Sequence, residues 1–271
     1  MKKGKFILIE SLTCGGKGVQ SKKVKTHLVA HGIPAIVYAE PTSSNAVGVV
    51  IRKTIEKQEI DESFVRNAFV PEVLAYITTL GVSGAFLKGL ERNDVVKEFA
   101  RTVNDAMIKI VERKKLTNRE LQALYVVDRH LDLRENILPA RKKGVSVIQD
   151  RYDRSTMAFG TAFGGVTVEE VYKWHLHVLG SEYIIPDYDF FIRIKPGTAM
   201  QRLQKDGKVK DQFEQKLDGL ERTAAAYEEA NSFVNVQYAL QDPPANPVII
   251  IDGEKSEDEV FQEIISHIKI I

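Results

Sequence analysis

Phe6-Ile7-Leu8-Ile9-Glu10-Ser11-Leu12-Thr13-Cys14-Gly15-Gly16-Lys17 is the stretch on which the fold turns. Four apolar residues in a row suit a strand, two glycines make a turn, and Val24 and Leu28 then fall on one helical face. The segment reads as strand, glycine-rich turn and helix. The first N–H groups of such a helix are unpaired and carry the positive end of its dipole, so the turn can cradle phosphate while Lys17 reaches a terminal phosphate. Measured against the pattern G-x-x-x-x-G-K-[ST], the first glycine is Ser11 and the hydroxyl residue after the lysine is Gly18. On this stretch alone, a phosphate cradle and a turn that binds nothing are even alternatives.

Further apolar runs at residues 33–39, 145–150, 188–195 and 248–252 alternate with helical patterns. That alternation argues for βαβ units, a parallel sheet and an α/β class. Between the second and third runs, Thr117-Asn118-Arg119-Glu120 is a capping box opening a helix that carries Leu121, Leu124, Tyr125, Asp128 and Arg129. Arg141-Lys142-Lys143-Gly144 puts cations and a glycine where a helix C-terminus favours them. Ser256-Glu257-Asp258-Glu259 is a second capping box, before a stripe of Val260, Ile264, Ile265 and Ile268.

A chain of 271 residues can bury one substantial core, and no repeat or low-complexity linker divides it. The expected organisation is a single domain over 1–271 with a helical insertion at about 58–115. There, Asn93 can cap a helix whose Val96, Phe99, Val103, Met107 and Ile110 share a face, after a segment broken by Gly81, Gly84 and Gly89. Core packing is the plain reading of that stripe, and a dimer contact the sharper one. With 38 basic and 37 acidic residues, nothing in the net charge suggests nucleic acid or a membrane surface as partner. No apolar run reaches membrane-spanning length, and Met1-Lys2-Lys3-Gly4-Lys5 leads into a run too short for a signal peptide, so a soluble cytoplasmic protein is expected. One cysteine excludes an internal disulfide framework, and the six histidines show no zinc spacing. His175 and His177, two apart, face different ways on a helix and suit core or solvent better than a metal.

In an open parallel sheet, ligands sit outside the carboxyl ends of the strands. Lys17, Glu40-Pro41 and Asp150-Arg151-Tyr152 all follow strand ends and should converge there. Asp150 can hold magnesium, directly or through water, and Arg151 brings a planar fork suited to phosphate.

The ordered set resembles the thymidylate kinase family nearly end to end, residues 58–115 excepted. The resemblance rests on Phe6-Ile7-Leu8-Ile9-Glu10, Gly16-Lys17 with Gln20, Glu40-Pro41, Arg52, Leu124-Tyr125-Val126-Val127-Asp128-Arg129 and Ile137-Leu138-Pro139-Ala140. It continues through Asp150-Arg151-Tyr152-Asp153-Arg154-Ser155-Thr156-Met157-Ala158-Phe159, Pro186-Asp187, Arg202, Asp211-Gln212-Phe213-Glu214 and Ile251-Asp252-Gly253. It implies a P-loop nucleoside monophosphate kinase fold, a parallel sheet flanked by helices. The implied reaction passes the ATP γ-phosphoryl group to dTMP to give dTDP, with Mg2+, in a cytoplasmic homodimer. Carried onto this chain, the resemblance places ATP against Thr13, Cys14, Gly15, Gly16, Lys17, Gly18, Val19 and Arg202. Glu40, Pro41, Arg52, Arg151 and Ser155 belong with the acceptor. Tyr125 would stack on the base, Arg129 donate to a base carbonyl, Thr156 touch the base edge, and Phe159 lie beneath the sugar and disfavour a ribose hydroxyl. Core packing is the alternative for Tyr125 and Phe159. Lys17, Asp150 and Arg151 carry the catalytic expectation, together with Lys205, Lys208 and Lys210 of a lid at about 203–213, since the loop offers no arginine.

The family pattern is broken at Ser11, at Thr13, at Gly18, which lacks the hydroxyl that ligates magnesium, at Val19, which lacks the hydroxyl after it, and at Gln212, where an arginine is usual. A water could take the vacant ligand position, giving a weakened metal site. Two alternatives follow: a kinase for another deoxynucleoside monophosphate, or a nucleotide-binding regulatory or structural protein with impaired catalysis.

Overall fold

A computed structural model describes residues 3–80, 90–205 and 216–269, with the side chains of 90–93 outside the described set. The elements run β1 (Phe6–Ser11), α1 (Lys17–Ala30), β2 (Ala35–Ala39), α2 (Ala46–Ile55), α3 (Glu62–Phe64), α4 (Val70–Thr79), α5 (Leu90–Val111), α6 (Asn118–Asp132) and α7 (Leu138–Lys142). They continue with β3 (Ser146–Asp150), α8 (Asp153–Ala162), α9 (Val168–Trp174), β4 (Tyr188–Arg193), α10 (Pro196–Lys205), α11 (Leu217–Ala239), β5 (Ile249–Asp252) and α12 (Glu257–His267). The strands pair in parallel in the order β2-β3-β1-β4-β5. This is the α/β architecture of a P-loop kinase.

Strand periodicity divides the core. Phe6, Leu8, Val147 and Phe191 point to one face and pack with α2, α5, α6, α8 and α11 residues, while Ile7, Ile9, Ile148, Phe190 and Ile192 point to the other, against Val24 and Leu28 of α1 and Val260 and Ile264 of α12. Both faces are covered, which explains why the strands read as continuous apolar runs. From β1 the chain leaves toward β2, and from β3 it crosses back toward β4, so the crevice opens at the ends of β1 and β3. Ile9 pairs with Asp150 there, and Ala39 pairs with Asp150 from the other side.

Strands are shorter than the apolar runs because flanking residues finish helices. Ile33 N–H donates to Leu28 O beyond α1, and Val145 N–H donates to Ala140 O beyond α7. Both expected capping boxes form, on Thr117 with Glu120 and on Ser256 with Glu259, each cap worth roughly 1 kcal/mol. Asn93 does not start its helix, since α5 begins at Leu90; Gly81, Gly84 and Gly89 lie outside the described residues. Val96, Phe99, Val103, Met107 and Ile110 are buried, with Phe99 edge-on to Trp174 at 5.3 Å, so the stripe packs into the core as its plain reading held. No helix among the described residues is long and apolar enough to cross a membrane.

Candidate functional site

The turn after β1 is built from backbone constraints. A β-carbon on Gly15 would overlap Ser11 Oγ, so position 15 admits no side chain while Ser11 stays. Cys14 and Gly16 are left-handed, at φ 54° and 88°, a conformation that Gly16 adopts without steric cost. No side chain caps α1 and its first turn holds no acidic residue, which leaves the dipole end for an outside anion. Lys17 is buried, and its Nζ donates to Ser11 O at 3.0 Å and Leu12 O at 2.8 Å, folded over the loop it serves. Arg202 braces the outer rim, donating to Cys14 O at 3.3 Å and Gly253 O at 3.0 Å. Val19 is largely exposed.

Asp150 meets this loop from β3. A β-carbon on Gly18 would stand 3.4 Å from Asp150 Oδ2, an ordinary contact, so a hydroxyl at position 18 would face that carboxylate. Burial holds the Asp150 carboxyl above its usual value against the opposing charges of Lys17 and Arg151. Arg151 follows with φ 74°, its guanidinium carbon 5.7 Å from the centre of the Phe159 ring and its Nη1 3.4 Å from Ser155 Oγ.

A cavity opens beside Arg151, and its walls include Pro41, Tyr125, Arg151, Ser155, Thr156 and Phe159. Glu40, Ile55 and Gln122 complete the lining. Residues far apart in sequence and expected to touch the acceptor therefore share one hollow. Arg52 lies at its edge, donating to Pro41 O.

Arg129 sits behind the wall, fully buried, and does not line the cavity. Its Nε donates to Glu40 Oε1 at 2.8 Å and its Nη2 reaches Glu40 Oε2, Tyr152 O and Thr156 Oγ1. Nη1 donates to His175 Nε2 at 2.7 Å. The expected donor to a base carbonyl is thus engaged inside the protein, and it touches the cavity through Thr156. His175 Nδ1 faces Val171 O, which can only accept, so Nδ1 carries the proton and Nε2 the lone pair. Burial, helped by the Arg129 charge, holds His175 well below its ordinary value and keeps it neutral. Burial works to raise Glu40 above its ordinary value, and Arg129 pulls the other way. Burial also disfavours the Arg129 charge, but Glu40 outweighs it and holds the guanidinium above its ordinary value. The doubly hydrogen-bonded geometry fits an ion pair.

Several contributors escaped the sequence reading. Glu10, at the end of β1, accepts from Tyr152 N at 2.7 Å, Ser155 N at 3.1 Å and Ser155 Oγ at 2.6 Å, pinning the start of α8. Tyr227 OH closes the set, 2.8 Å from Ser155 Oγ. The Ser155 hydroxyl is therefore tied to Glu10 and Tyr227 at the cavity wall. An acidic residue ending an apolar strand was a usable signal for Glu10, since a buried carboxylate demands partners. Nothing local marked Tyr227, while His175, expected in core or solvent, is buried in the core. Of the expected lid lysines, Lys205 ends α10 and is exposed, whereas Lys208, Lys210 and Gln212 lie outside the described residues.

A glycine-rich loop at the switch point of a parallel sheet, joined through Asp150-Arg151 to a pocket with an arginine and aromatic rings, is the architecture of the P-loop kinase fold class. Residues 91–264 match the family model described as Thymidylate kinase, and the chain belongs to the thymidylate kinase family. It is similar to a thymidylate kinase of Leptospira borgpetersenii, 26% identical over 95% of this chain and 90% of that one. A probable thymidylate kinase of Archaeoglobus fulgidus is 28% identical over 63% of this chain and 76% of its own. A thymidylate kinase of Thermosipho africanus is 30% identical over 55% and 67%. Membership supports a nucleoside monophosphate kinase role.

Proposed function

We propose that the protein transfers the γ-phosphoryl group of ATP to dTMP, giving dTDP. The observation that carries this is the junction at Asp150-Arg151: Asp150 faces the loop of Lys17, and Arg151 enters the cavity of Tyr125, Thr156 and Phe159. Donor and acceptor phosphates held on the two sides of one dipeptide are brought in line, and phosphoryl transfer asks the protein mainly for such positioning and for charge stabilisation. Lys17 and the loop amides hold the donor phosphates. Arg151, with Arg52 at the edge, holds the acceptor phosphate. Tyr125 offers a flat face to the base and Phe159 crowds the sugar. Thr156 Oγ1 accepts from Arg129, which leaves its own hydrogen to meet a base carbonyl.

Asp150 suits magnesium as a partly buried carboxylate beside the loop, and Gly18 withholds a second ligand from the position that faces it. Magnesium would neutralise developing charge on the transferring phosphates. A lid of Lys205, Lys208 and Lys210 supplies further positive charge as point charges without the arginine fork. In this proposal the 58–115 segment is a helical insertion within one domain over 1–271.

The altered loop favours a second reading, a nucleotide-binding protein with impaired catalysis. ADP release measured across a panel of monophosphates, with and without magnesium, separates the two. Magnesium-dependent release with dTMP supports the kinase. Release with another deoxynucleoside monophosphate alone reassigns the acceptor. ATP binding without release for any acceptor supports the binding protein.

A further inference from the structure

A hollow of about 910 Å³ lies away from the glycine-rich loop, between the ends of α2 and α5 and the starts of α3 and α6. Its rim carries Lys57, Arg66, Arg113, Lys114 and Lys115 against two carboxylates, Glu59 and Glu62. Glu62 already pairs with Arg66 and, at 3.5 Å, with Arg113. Lys57 and Lys115 have no acidic partner among the described residues. The chain as a whole is nearly neutral, so this is a local concentration of positive charge. Beneath the rim lie Val65, Ile110 and Leu121, all buried, with Phe163 and Leu116 partly so.

Two of the cations occupy backbone positions that glycine would fill more easily. Lys57 follows α2 at φ 55° and Arg113 follows α5 at φ 55°. A left-handed residue after a helix is usually glycine, which needs no side chain there. Here both positions carry long cations on the rim of one cleft. A bland explanation is that they answer the negative ends of the two helix dipoles.

We propose that the cleft is a second nucleotide site, for a nucleoside triphosphate that acts as an effector of the acceptor cavity. A cationic rim over an apolar floor fits a ligand with several negative charges and a flat, weakly polar body, and the volume suits a nucleotide. The route to the acceptor cavity is short. Phe163 on the cleft stacks with Phe159 on the cavity at 6.3 Å between centres. Asn118, also on the cleft, donates to Phe159 O at 3.0 Å and to Gly164 O at 2.6 Å. A ligand that moves Asn118 or Phe163 therefore bears on the residue proposed to lie under the acceptor sugar. This coupling rests on the kinase reading, whereas the binding does not.

The test is calorimetry with dTTP titrated into full-length protein already saturated with a non-hydrolysable ATP analogue, magnesium and dTMP. A second binding event is expected, weakened at least tenfold in Lys57→Gly/Arg113→Gly, a variant whose backbone is eased rather than strained. In the parent, dTTP should change the KM for dTMP at least threefold under saturating ATP, and it should not do so in the variant. The proposal is overturned by the absence of a second event, by an event that survives the double substitution, by tripolyphosphate binding as tightly as dTTP, or by binding that leaves KM unmoved. Failure of the ATP analogue and dTMP to bind would instead remove the kinase reading, and the dTTP titration against the variant would still decide the cleft.

Discussion

The proposed donor loop and acceptor cavity sit a dipeptide apart and are held by opposite means. Around the loop, shape comes from backbone: left-handed Cys14 and Gly16, the forced glycine at 15, and a lysine resting on its own loop's carbonyls. Around the cavity, shape comes from buried side chains, with Arg129 tying Glu40, Thr156 and His175 together behind the wall. A main-chain cradle keeps its N–H groups when side chains change, so it can absorb Ser11, Thr13 and Gly18 and still present donors to phosphate. A buried charged network has no such tolerance, because any missing member leaves another unpaired.

Arg129→Ala should have the largest effect on the fold, since it strands the Glu40 carboxylate and the His175 lone pair. About 3–5 kcal/mol of stability should disappear in urea unfolding. A loss under ~1 kcal/mol would mean the cavity is not organised by this network. On the donor side, Lys17→Ala should leave the urea midpoint nearly unmoved while turnover falls by roughly 10²–10³, the usual cost of removing one preorganised charge-stabilising group. Parent-like turnover in that protein would remove the loop from the mechanism.

Arg151→Ala should weaken dTMP binding by about 1.5–3 kcal/mol, the scale of a hydrogen bond to a charged group, and spare ATP binding. Calorimetry reads both, and equal losses for the two ligands would erase the distinction between the regions. On α6, burial pushes Asp132 from 3.8 up to about 6, with Asp128 and Glu135 adding to it, and one of its oxygens has no hydrogen-bond partner among the described residues. A folded-state value raised in this way gives stability that is complete below the unfolded value and lost as pH rises through about 6. Asp132→Asn should therefore stabilise the protein by about 1–3 kcal/mol at pH 8 and very little at pH 4, as followed by urea midpoints at the two values.

How far the sequence carried these arguments differs between the two regions for a physical reason. The loop, the strands and the capping boxes on Thr117 and Ser256 are local patterns, set by spacing within a few residues, and they stand where the spacing put them, apart from trimmed strand ends. Glu40 and Arg129 are 89 positions apart and Arg129 and His175 are 46 apart, so no periodicity joins them. The family resemblance implied that Arg129 would donate to a base carbonyl. The fold turns that side chain inward, where Glu40 neutralises it and Thr156 transmits its position to the cavity. A separation of 72 positions likewise hides Tyr227, whose hydroxyl reaches Ser155 from α11.

The smallest expected effect bears most directly on whether the altered loop still works. Gly18→Ser places a hydroxyl against Asp150 Oδ2, at a site where the β-carbon alone fits at 3.4 Å. It should raise magnesium-dependent turnover a few-fold, because it adds a ligand without rebuilding the cradle. The decisive measurement follows label from [γ-32P]ATP in the parent and in Gly18→Ser, with dTMP as acceptor. Magnesium-dependent label in dTDP from the parent, increased in Gly18→Ser, is the predicted result. Label remaining in ATP, or released as inorganic phosphate in both proteins despite nucleotide binding, would contradict a dTMP kinase.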